Sequence, residues 1–326
     1  MIGISVALCT HNGAEFITAQ VESILRQSHP VDEIVLSDDA SVDDTVNTVE
    51  RLVETRRATG IATPTLVVIR NSTALGVTAN FEQALSATTG DLIALADQDD
   101  IWCDDRIARA VREMGTRPNT ELVASNANLI DAGGVPLGTS LFETLGLDTA
   151  AVTRLRESPL AELLRRNLLT GATMLVARGL VERARPFPSS WVHDEWLAVV
   201  AAAVDGISIV DEPLIDYRQH AANQIGVTKL GLSGKVLRLR VPRGERNARL
   251  RARAFDLAHR LPPLTANPVP VAQVLDAKLA HEDARSELPA ARLRRIRPLV
   301  QEMRTGRYTT FGLGMQDVLR DLVQPE

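Results

Sequence analysis

The chain has 326 residues, of which 45% are hydrophobic and 24% charged, with a net charge of -5 and a pI near 5.8. This is the composition of a globular protein, and the acidic balance argues against nucleic acid as its main partner. Two cysteines, Cys9 and Cys103, are too few for a disulfide framework. The first residues lack a signal peptide's basic region, and no apolar run reaches the roughly 18 residues of a membrane span. We therefore expect a cytoplasmic protein.

The first half of the chain predicts strands that alternate with helices. Short apolar runs between polar turns are typical of buried strands, and apolar residues recurring every three or four positions indicate helices. The predicted strands are residues 2–8, 34–36, 66–69, 92–96 and 122–124. Ser41 and Asp44 form a capping signature for the helix after the second strand. The alternation predicts an α/β fold with a mostly parallel sheet flanked by helices.

The second half of the chain is less regular. Residues 137–153, rich in Gly and Thr, predict a loop, while 159–169 and 193–204 predict helices. The remaining predicted elements are a loop entering a strand at 170–176, strands at 207–210 and 215–217, and helices at 271–287 and 290–304. Residues 235–260 are rich in Arg and poor in acids. We predict one domain over residues 1–225 and a helical, Arg-rich C-terminal extension over residues 226–326.

Three polar clusters follow predicted strands. They are Thr10-His11-Asn12, Asp38-Asp39 and the acidic run 97–100. Ligands of open parallel sheets bind outside the carboxyl ends of the strands, so the three clusters are expected to meet at one edge. This convergence predicts a functional site.

The acidic run predicts a metal-assisted diphosphate site. Three carboxylates within four residues repel one another, and a hard cation such as Mg²⁺ or Mn²⁺ supplies the counter-charge. The Gly-x-Gly-x-x-Gly and Gly-Lys-Ser/Thr phosphate loops are absent, which disfavours a dinucleotide site and excludes a P-loop. A nucleotide diphosphate bridged to the acids by a metal fits this pattern.

Six segments together resemble the inverting glycosyltransferases of family 2, which have the GT-A fold, and most of all the bacterial rhamnosyltransferase-type members. The segments span residues 7–13, 38–45, 96–102, 170–173, 193–196 and 217–220, in the order of that family. The resemblance covers roughly residues 2–223. It implies transfer of a sugar, with rhamnose as a candidate, from a UDP- or dTDP-sugar to a hydroxyl of a glycan or lipid-linked acceptor in cell-surface polysaccharide synthesis.

The resemblance also implies a role for each matching residue. Nucleotide-sugar binding falls to Thr10, His11, Asn12, Asp38, Asp39, Asn80, Asp97 and Gln98, with Asp39 facing the base and Asp97 the ribose. His11 stands where the family more often has Tyr. Asp99 and His220 are the implied ligands of Mg²⁺ or Mn²⁺, and Asp194 is the implied general base. Acceptor contacts fall to Gly171, His193, Glu195 and Trp196.

Other interpretations stay open. A sugar-phosphate nucleotidylyltransferase also uses an α/β sheet and Mg²⁺, but its first loop is Gly- and Arg-rich, and residues 10–13 contain no Arg. A carbohydrate-binding protein with a decayed site is a non-catalytic alternative. The acids have structural readings as a solvated turn or as helix caps. The Arg-rich run is either a solvated helix face or a surface for anionic lipid, which would place the protein at the inner face of a membrane.

Overall fold

The structure is a computed structural model that describes residues 2–220 and 241–325. Its strands are β1 (Ile4–Thr10), β2 (Glu33–Asp38), β3 (Thr65–Arg70), β4 (Leu92–Ala96), β5 (Ile101–Trp102), β6 (Leu122–Ile130), β7 (Pro136–Ser140), β8 (Met174–Ala177) and β9 (Ile207–Arg218). They form one sheet in the order β3-β2-β1-β4-β8-β6-β9-β5, with β7 paired to β6.

Fourteen α-helices lie within the described ranges. They are α1 (Ile17–Leu25), α2 (Thr45–Ala58), α3 (Val77–Ala87), α4 (Arg106–Met114), α5 (Leu141–Leu145), α6 (Thr149–Glu157), α7 (Pro159–Arg165), α8 (Arg178–Ala184), α9 (His193–Ala203), α10 (Arg243–Arg260), α11 (Pro268–Ser286), α12 (Arg292–Arg304), α13 (Arg307–Phe311) and α14 (Met315–Val323). None of these helices is long and apolar enough to cross a membrane.

The first four pairing strands, β1 to β4, are all parallel. β1 pairs with β2 and β4, and β2 pairs with β3. Every residue of β1, β2 and β4 is buried, which explains their unbroken apolar runs, because a parallel sheet is covered on both faces. The predicted α/β fold, with its mostly parallel sheet and C-terminal helical region, is confirmed.

The other half of the sheet is mixed, and the sequence predicted it less well. β8 is antiparallel to β4 and β6, whereas β9 is parallel to β6. Residues 207–210 and 215–217, predicted as two strands, belong to the single strand β9. The polar residues between them stay within the strand because its pairing with β6 shifts register there. β5 was not predicted, because a strand of two residues is too short to show an alternating or continuous apolar pattern.

The prediction of a loop over residues 137–153 is wrong. This segment contains most of β7, all of α5 and the start of α6. β7 is largely exposed and therefore lacks an apolar pattern. A capping box opens α5: Glu143 N donates to Ser140 Oγ at 3.2 Å, and Ser140 N donates to the Glu143 carboxylate at 2.8 Å. Gly146 ends the helix in a left-handed conformation.

The described residues divide into two compact units. The first comprises residues 2–156, 169–201 and 205–220, and it contains the sheet. The second comprises residues 157–168, 202–204 and 241–325, and is helical. The predicted domain boundary between residues 225 and 226 lies outside the described residues.

The second unit is held by buried charges as well as a small apolar core. The core consists of Leu288, Leu299, Tyr308 and Val318. Beside it, the fully buried Asp321 of α14 accepts from Arg285 Nε at 2.7 Å, from the Tyr308 hydroxyl at 2.9 Å and from Arg246. These donors come from α11, α13 and α10, so one carboxylate joins four helices.

The predicted Arg-rich run is therefore only partly a solvated face. Residues 235–240 lie outside the described residues, and the rest of the run is α10 with its preceding turn. Arg243 is buried and donates to the carbonyl oxygens of Arg285, Leu288 and Pro289. Arg251, on the outside, pairs with Asp283 at 2.5 Å. Several arginines of this run stabilise the unit itself, a role that composition does not reveal.

Candidate functional site

The three polar clusters predicted from the sequence meet at one edge of the sheet. β1, β2 and β4 run parallel, so Thr10, Asp38 and Asp97 stand at or just beyond the carboxyl ends of neighbouring strands. Thr10 Oγ1 donates to Asp38 Oδ1 at 2.7 Å, and His11 N donates to Gln98 Oε1 at 2.8 Å. The convergence that the parallel order predicts is confirmed.

Asp38 holds the turn after β2. It is buried, and its carboxylate accepts from Thr10, from the Ser41 hydroxyl at 2.5 Å and from Ser41 N at 2.9 Å. These bonds support Ala40, which has a positive φ of 62°. Ser41 is thus engaged by Asp38 and does not cap α2, contrary to the sequence-based prediction; Asp43 accepts from Thr45 N instead.

Asp39 fastens the loop between β3 and α3. Its Oδ1 accepts from Leu75 N at 2.6 Å and Asn71 Nδ2 at 3.2 Å, and its Oδ2 accepts from Gly76 N at 2.9 Å. An ionised carboxylate has about four acceptor positions, so one on Oδ2 is left for another donor. Asn80, on α3, is buried and bonded to Ser37 and Asn71, so it supports the same loop.

The loop after β1 is locked to the loop after β4. Gln98 accepts from His11 N and returns a bond from Nε2 to His11 O at 3.1 Å. Gly13 makes this possible, because a Cβ there would lie 2.3 Å from Gln98 Oε1. Asn12, at φ 50°, accepts from Val42 N at 2.9 Å and so joins the loop after β2. His11 and Asn12 are exposed at this edge.

The acidic run beyond β4 is strongly coupled. Burial, with the charges of Asp99 and Asp194, raises the pKa of Asp97 to about 7. Burial and the charges of Asp99 and Asp97 raise the pKa of Asp100 well above its ordinary value. Asp100 Oδ1 accepts from Arg218 N at 3.0 Å, whereas its buried Oδ2 has no partner among the described residues. The site thus concentrates carboxyl groups whose ionisation is opposed by burial and by one another and is favoured by Arg106.

Asp99 meets His220 across the site. Asp99 Oδ2 lies 2.8 Å from His220 Nε2, and both side chains are largely buried. The His220 ring lies 4.7 Å from that of Phe16, and Arg218 donates from Nε to Asp99 O at 2.7 Å. The two residues predicted as metal ligands are therefore adjacent.

The side chains of Asp99 and His220 fit a hard divalent cation. Within the described ranges no three His, Cys, Asp or Glu side chains form a complete metal cage. Two protein ligands suit Mg²⁺ or Mn²⁺ when phosphate oxygens and water complete the shell. The excess of carboxylate in the acidic run supplies the charge such an ion requires.

Asp194 reaches the same cluster from α9. Its Oδ2 accepts from Gly171 N at 3.0 Å and its Oδ1 from Glu195 N at 2.7 Å. Gly171 is needed for this approach, because a Cβ would lie 3.0 Å from His193 Nε2 and 3.2 Å from Asp194 Cβ. Since the charge of Asp194 contributes to the raised pKa of Asp97, the two carboxylates are neighbours.

Three of the four predicted acceptor residues, Gly171, His193 and Trp196, are buried. The Trp196 side chain is fully enclosed and its Nε1 donates to Ala184 O at 2.8 Å, so it packs in the core and is not open to an acceptor. His193 stacks on Phe81 at 3.8 Å, and burial lowers its pKa to about 3, which keeps it neutral. Neither ring nitrogen of His193 has a partner in the described part of the chain.

Sequence reasoning missed two residues of this site. Arg106, in α4, is buried beneath it, donates to Ala172 O at 2.8 Å, and has its guanidinium 3.6 Å from the Trp102 ring centroid. Burial, followed by the charges of Asp97, Asp100 and other site acids, raises the pKa of Tyr217. Tyr217 lies in a segment the resemblance had singled out, whereas nothing in the sequence distinguishes Arg106 from other helical arginines.

The chain is similar to several known proteins. Residues 5–136 match the profile of Glycosyl transferase family 2. An uncharacterised Mycobacterium tuberculosis protein is 27% identical over 226 residues, covering 67% of this chain and 59% of its own. The Escherichia coli glucosyltransferase WfaP, which acts on UDP-Glc and α-D-GlcNAc-diphosphoundecaprenol, is 29% identical over 113 residues, covering 35% of this chain and 41% of its own. The chain thus spans about half the length of the curated relatives it matches.

A solved structure shares the fold. The Pyrobaculum calidifontis mannosyltransferase PcManGT, determined with GDP-Man and Mn²⁺, superposes with a TM-score of 0.53 at 20% identity, covering 98% of this chain and 86% of its own. At this identity the likeness speaks for the fold alone. Residues 5–136 therefore resemble a Glycosyl transferase family 2 domain, and the chain shares the fold of PcManGT.

Proposed function

We propose that this chain is a metal-dependent inverting glycosyltransferase, which moves a sugar from a UDP- or dTDP-sugar to a hydroxyl of a glycan or lipid-linked acceptor. One observation carries the proposal: Asp97, Asp99, His220 and Asp194 converge at the carboxyl edge of the sheet. The transfer role is assigned to residues 1–225, with residues 226–326 as an extension.

The nucleotide base is assigned to Asp39. One acceptor position of its carboxylate remains after the loop bonds are counted, and it matches the single N3–H donor of uracil or thymine. Adenine offers no donor at that ring nitrogen. WfaP, a relative, uses UDP-Glc. The resemblance to rhamnosyltransferase-type members makes dTDP-rhamnose the second candidate donor.

Asp99 and His220 would hold the metal. When bound, Mg²⁺ or Mn²⁺ neutralises charge on the departing diphosphate. PcManGT, of similar fold, was determined with Mn²⁺ and GDP-Man. In the chain itself, Arg218 orients the Asp99 backbone through its Nε, and Phe16 packs against His220. These contacts would hold the two side chains in place as the diphosphate enters.

Asp194 is assigned as the general base. Inversion requires one carboxylate that takes the proton of the attacking hydroxyl on the face opposite the leaving group. Asp194 stands in the first turn of α9, where the helix dipole favours its ionised form, and Gly171 N and Glu195 N orient its two oxygens. The acceptor would enter beside Gly171, with His193 as a neutral wall. WfaP's lipid-diphosphate acceptor supports a role in surface polysaccharide synthesis.

The alternatives fit less well. A nucleotidylyltransferase has a Gly- and Arg-rich loop after its first strand, and residues 10–13 of this chain contain no Arg. A carbohydrate-binding protein does not require the unfavourable concentration of carboxylates around Asp97. Clustered acids with strongly shifted pKa values are typical of catalytic sites.

The test is a thermal-shift panel of UDP-, dTDP-, GDP- and ADP-glucose with Mn²⁺ or with chelator, followed by donor hydrolysis. A bound donor at 100 times its Kd adds about 2.7 kcal/mol to the unfolding free energy. We expect this for the UDP or dTDP compound with metal only, and not in Asp99→Ala. Asp104→Ala, an exposed acid five residues along, is the matched control. Equal shifts with ADP-glucose, or full hydrolysis in chelator, would contradict the proposal.

A further inference from the structure

Helix α12 exposes an apolar stripe. Leu293, Ile296, Val300 and Met303 are 84%, 49%, 41% and 38% exposed. Their spacing of three, four and three residues places them on one side of the helix. The buried Arg295, Leu299 and Glu302 lie on a different side of the helix and anchor α12 in the second unit. The exposed stripe is therefore not the side through which α12 packs in the second unit.

Arginines border this stripe. Arg297 and Arg304 each follow a stripe residue by four positions, and Arg292 precedes Ile296 by four, so basic side chains lie along both sides. Arg294 is a fourth exposed arginine of the helix. None of these four forms an ion pair within the described residues, unlike the arginines of α10 and α11 that bind Asp321. Their positive charge is available to a partner.

Acidic side chains are absent from the outer face of α12. Its one acid, Glu302, is buried and bonded to His281 Nδ1 at 2.6 Å and Arg307 at 2.5 Å. Although the whole chain carries a net charge of -5, every charged residue on the outer face of this helix is an arginine. A helix that combines an exposed apolar stripe with a basic border has the pattern of an interfacial helix.

We propose that α12 docks on an anionic phospholipid surface, with Leu293, Ile296, Val300 and Met303 entering the headgroup boundary and the bordering arginines contacting lipid phosphates. A second copy of the chain is a poorer occupant. A symmetric pair would bring the same arginines face to face, and like charges repel. The inference does not rest on the proposed transferase activity, because lipid binding is measured without donor or acceptor.

The test is co-sedimentation of the full chain with vesicles of equimolar phosphatidylcholine and phosphatidylglycerol, with phosphatidylcholine vesicles as the neutral probe. We expect binding to the anionic vesicles only, weakening as salt rises. The double variant Leu293→Gln/Val300→Gln should lower the partition coefficient by about tenfold or more. Arg297→Gln/Arg304→Gln should lower it about fivefold for each arginine at low salt.

Matched controls are Ile61→Gln and Arg112→Gln, exposed residues of the first unit, and both should bind vesicles as the wild type does. Circular dichroism and melting temperature verify that each variant is folded. Three results would overturn the proposal: no binding to anionic vesicles, equal binding by the α12 variants, or equal loss in the controls. A dimer in sedimentation equilibrium that the Leu293→Gln/Val300→Gln variant abolishes would assign the stripe to a second copy instead.

Discussion

Asp194 and Glu195 are adjacent acids at the start of α9, yet their surroundings differ. Asp194 is buried beside Gly171 and close enough to Asp97 to affect its ionisation. Glu195 points about 100° further round the helix and contributes its backbone N–H to Asp194. If Asp194 takes the acceptor proton, Asp194→Asn should lower turnover by roughly 10²- to 10⁴-fold with donor affinity nearly unchanged.

Glu195→Gln is the matched control and should be far milder. Turnover and donor Kd are measured for both variants side by side. Near-normal turnover of Asp194→Asn, or a crippled Glu195→Gln, would show that another carboxylate is the base.

Asp97 is expected to make the ligand-free protein less stable as pH rises. Its folded pKa is about 7, whereas an unfolded Asp ionises near ~3.9, so the folded state holds an extra proton between these values. Stability therefore falls as pH rises through this window. Asp97→Asn should change the unfolding free energy little at about pH 4 and raise it by roughly 1–3 kcal/mol at about pH 8.

The measurement is thermal unfolding of both proteins at the two pH values in chelator, without donor. A difference that does not depend on pH would mean that Asp97 ionises normally in the folded protein. We also expect Asp97→Asn to lose the stabilisation that a donor gives, because the variant lacks the carboxylate charge that would attract the metal–donor complex.

At the scale of elements, the contact of Gly13 with Gln98 joins the loops after β1 and β4. Gly13→Ala would displace the flexible Gln98 side chain and break its two bonds to the His11 backbone. Such bonds contribute about 0.5–1.5 kcal/mol each, so Gly13→Ala and Gln98→Ala should each lower the unfolding free energy by about 1–2 kcal/mol. Donor affinity should fall in both, because His11 and Asn12 lose their support.

A double-mutant cycle separates the energy of the Gly13–Gln98 contact from other effects of each substitution on stability. Gly13→Ala/Gln98→Ala should cost little more than either single change, because both remove the same contact. Gly244→Ala is the control, since a Cβ there meets no atom within 4 Å. Additive losses in the double variant would contradict the coupling.

At the scale of the whole molecule, the second unit depends on Asp321. Removing this carboxylate leaves Arg285 buried without its main partner and frees the Tyr308 hydroxyl. Breaking a buried ion pair typically costs about 3–5 kcal/mol. Asp321→Ala should lower the melting temperature of the second unit strongly, and donor affinity should change little if the first unit binds the donor by itself.

Asp283→Ala is the comparison for that variant. Asp283 pairs with Arg251 at the surface, and exposed pairs contribute about 0–1 kcal/mol. Calorimetry with separate analysis of the transitions checks both changes. Equal effects of the two variants would show that the Asp321 network is not what holds these helices together.

The sequence by itself determined the parallel half of the fold and the edge at which the site lies. β1, β2 and β4 are buried on both faces, so their apolar runs are unbroken and readable, and parallel order brings the residues that follow them together. Asp97 and Asp99 stood out because they directly follow such a strand, and Asp194 because it lies in a segment that resembles the family 2 glycosyltransferases.

Only the tertiary structure decided what each polar residue contacts. Asp38 and Asp39 look alike in sequence, but they have different partners. Asp38 accepts hydrogen bonds within its own turn, whereas Asp39 accepts them from the β3–α3 loop. Trp196 lies in the core, and Arg106 beneath the site, because of packing between segments far apart in the chain. In the second unit, composition shows how many arginines there are, whereas burial shows that Arg243 and Arg295 hold helices and that Arg297 and Arg304 face outward. Side-chain partners depend on long-range geometry, which a local pattern does not encode.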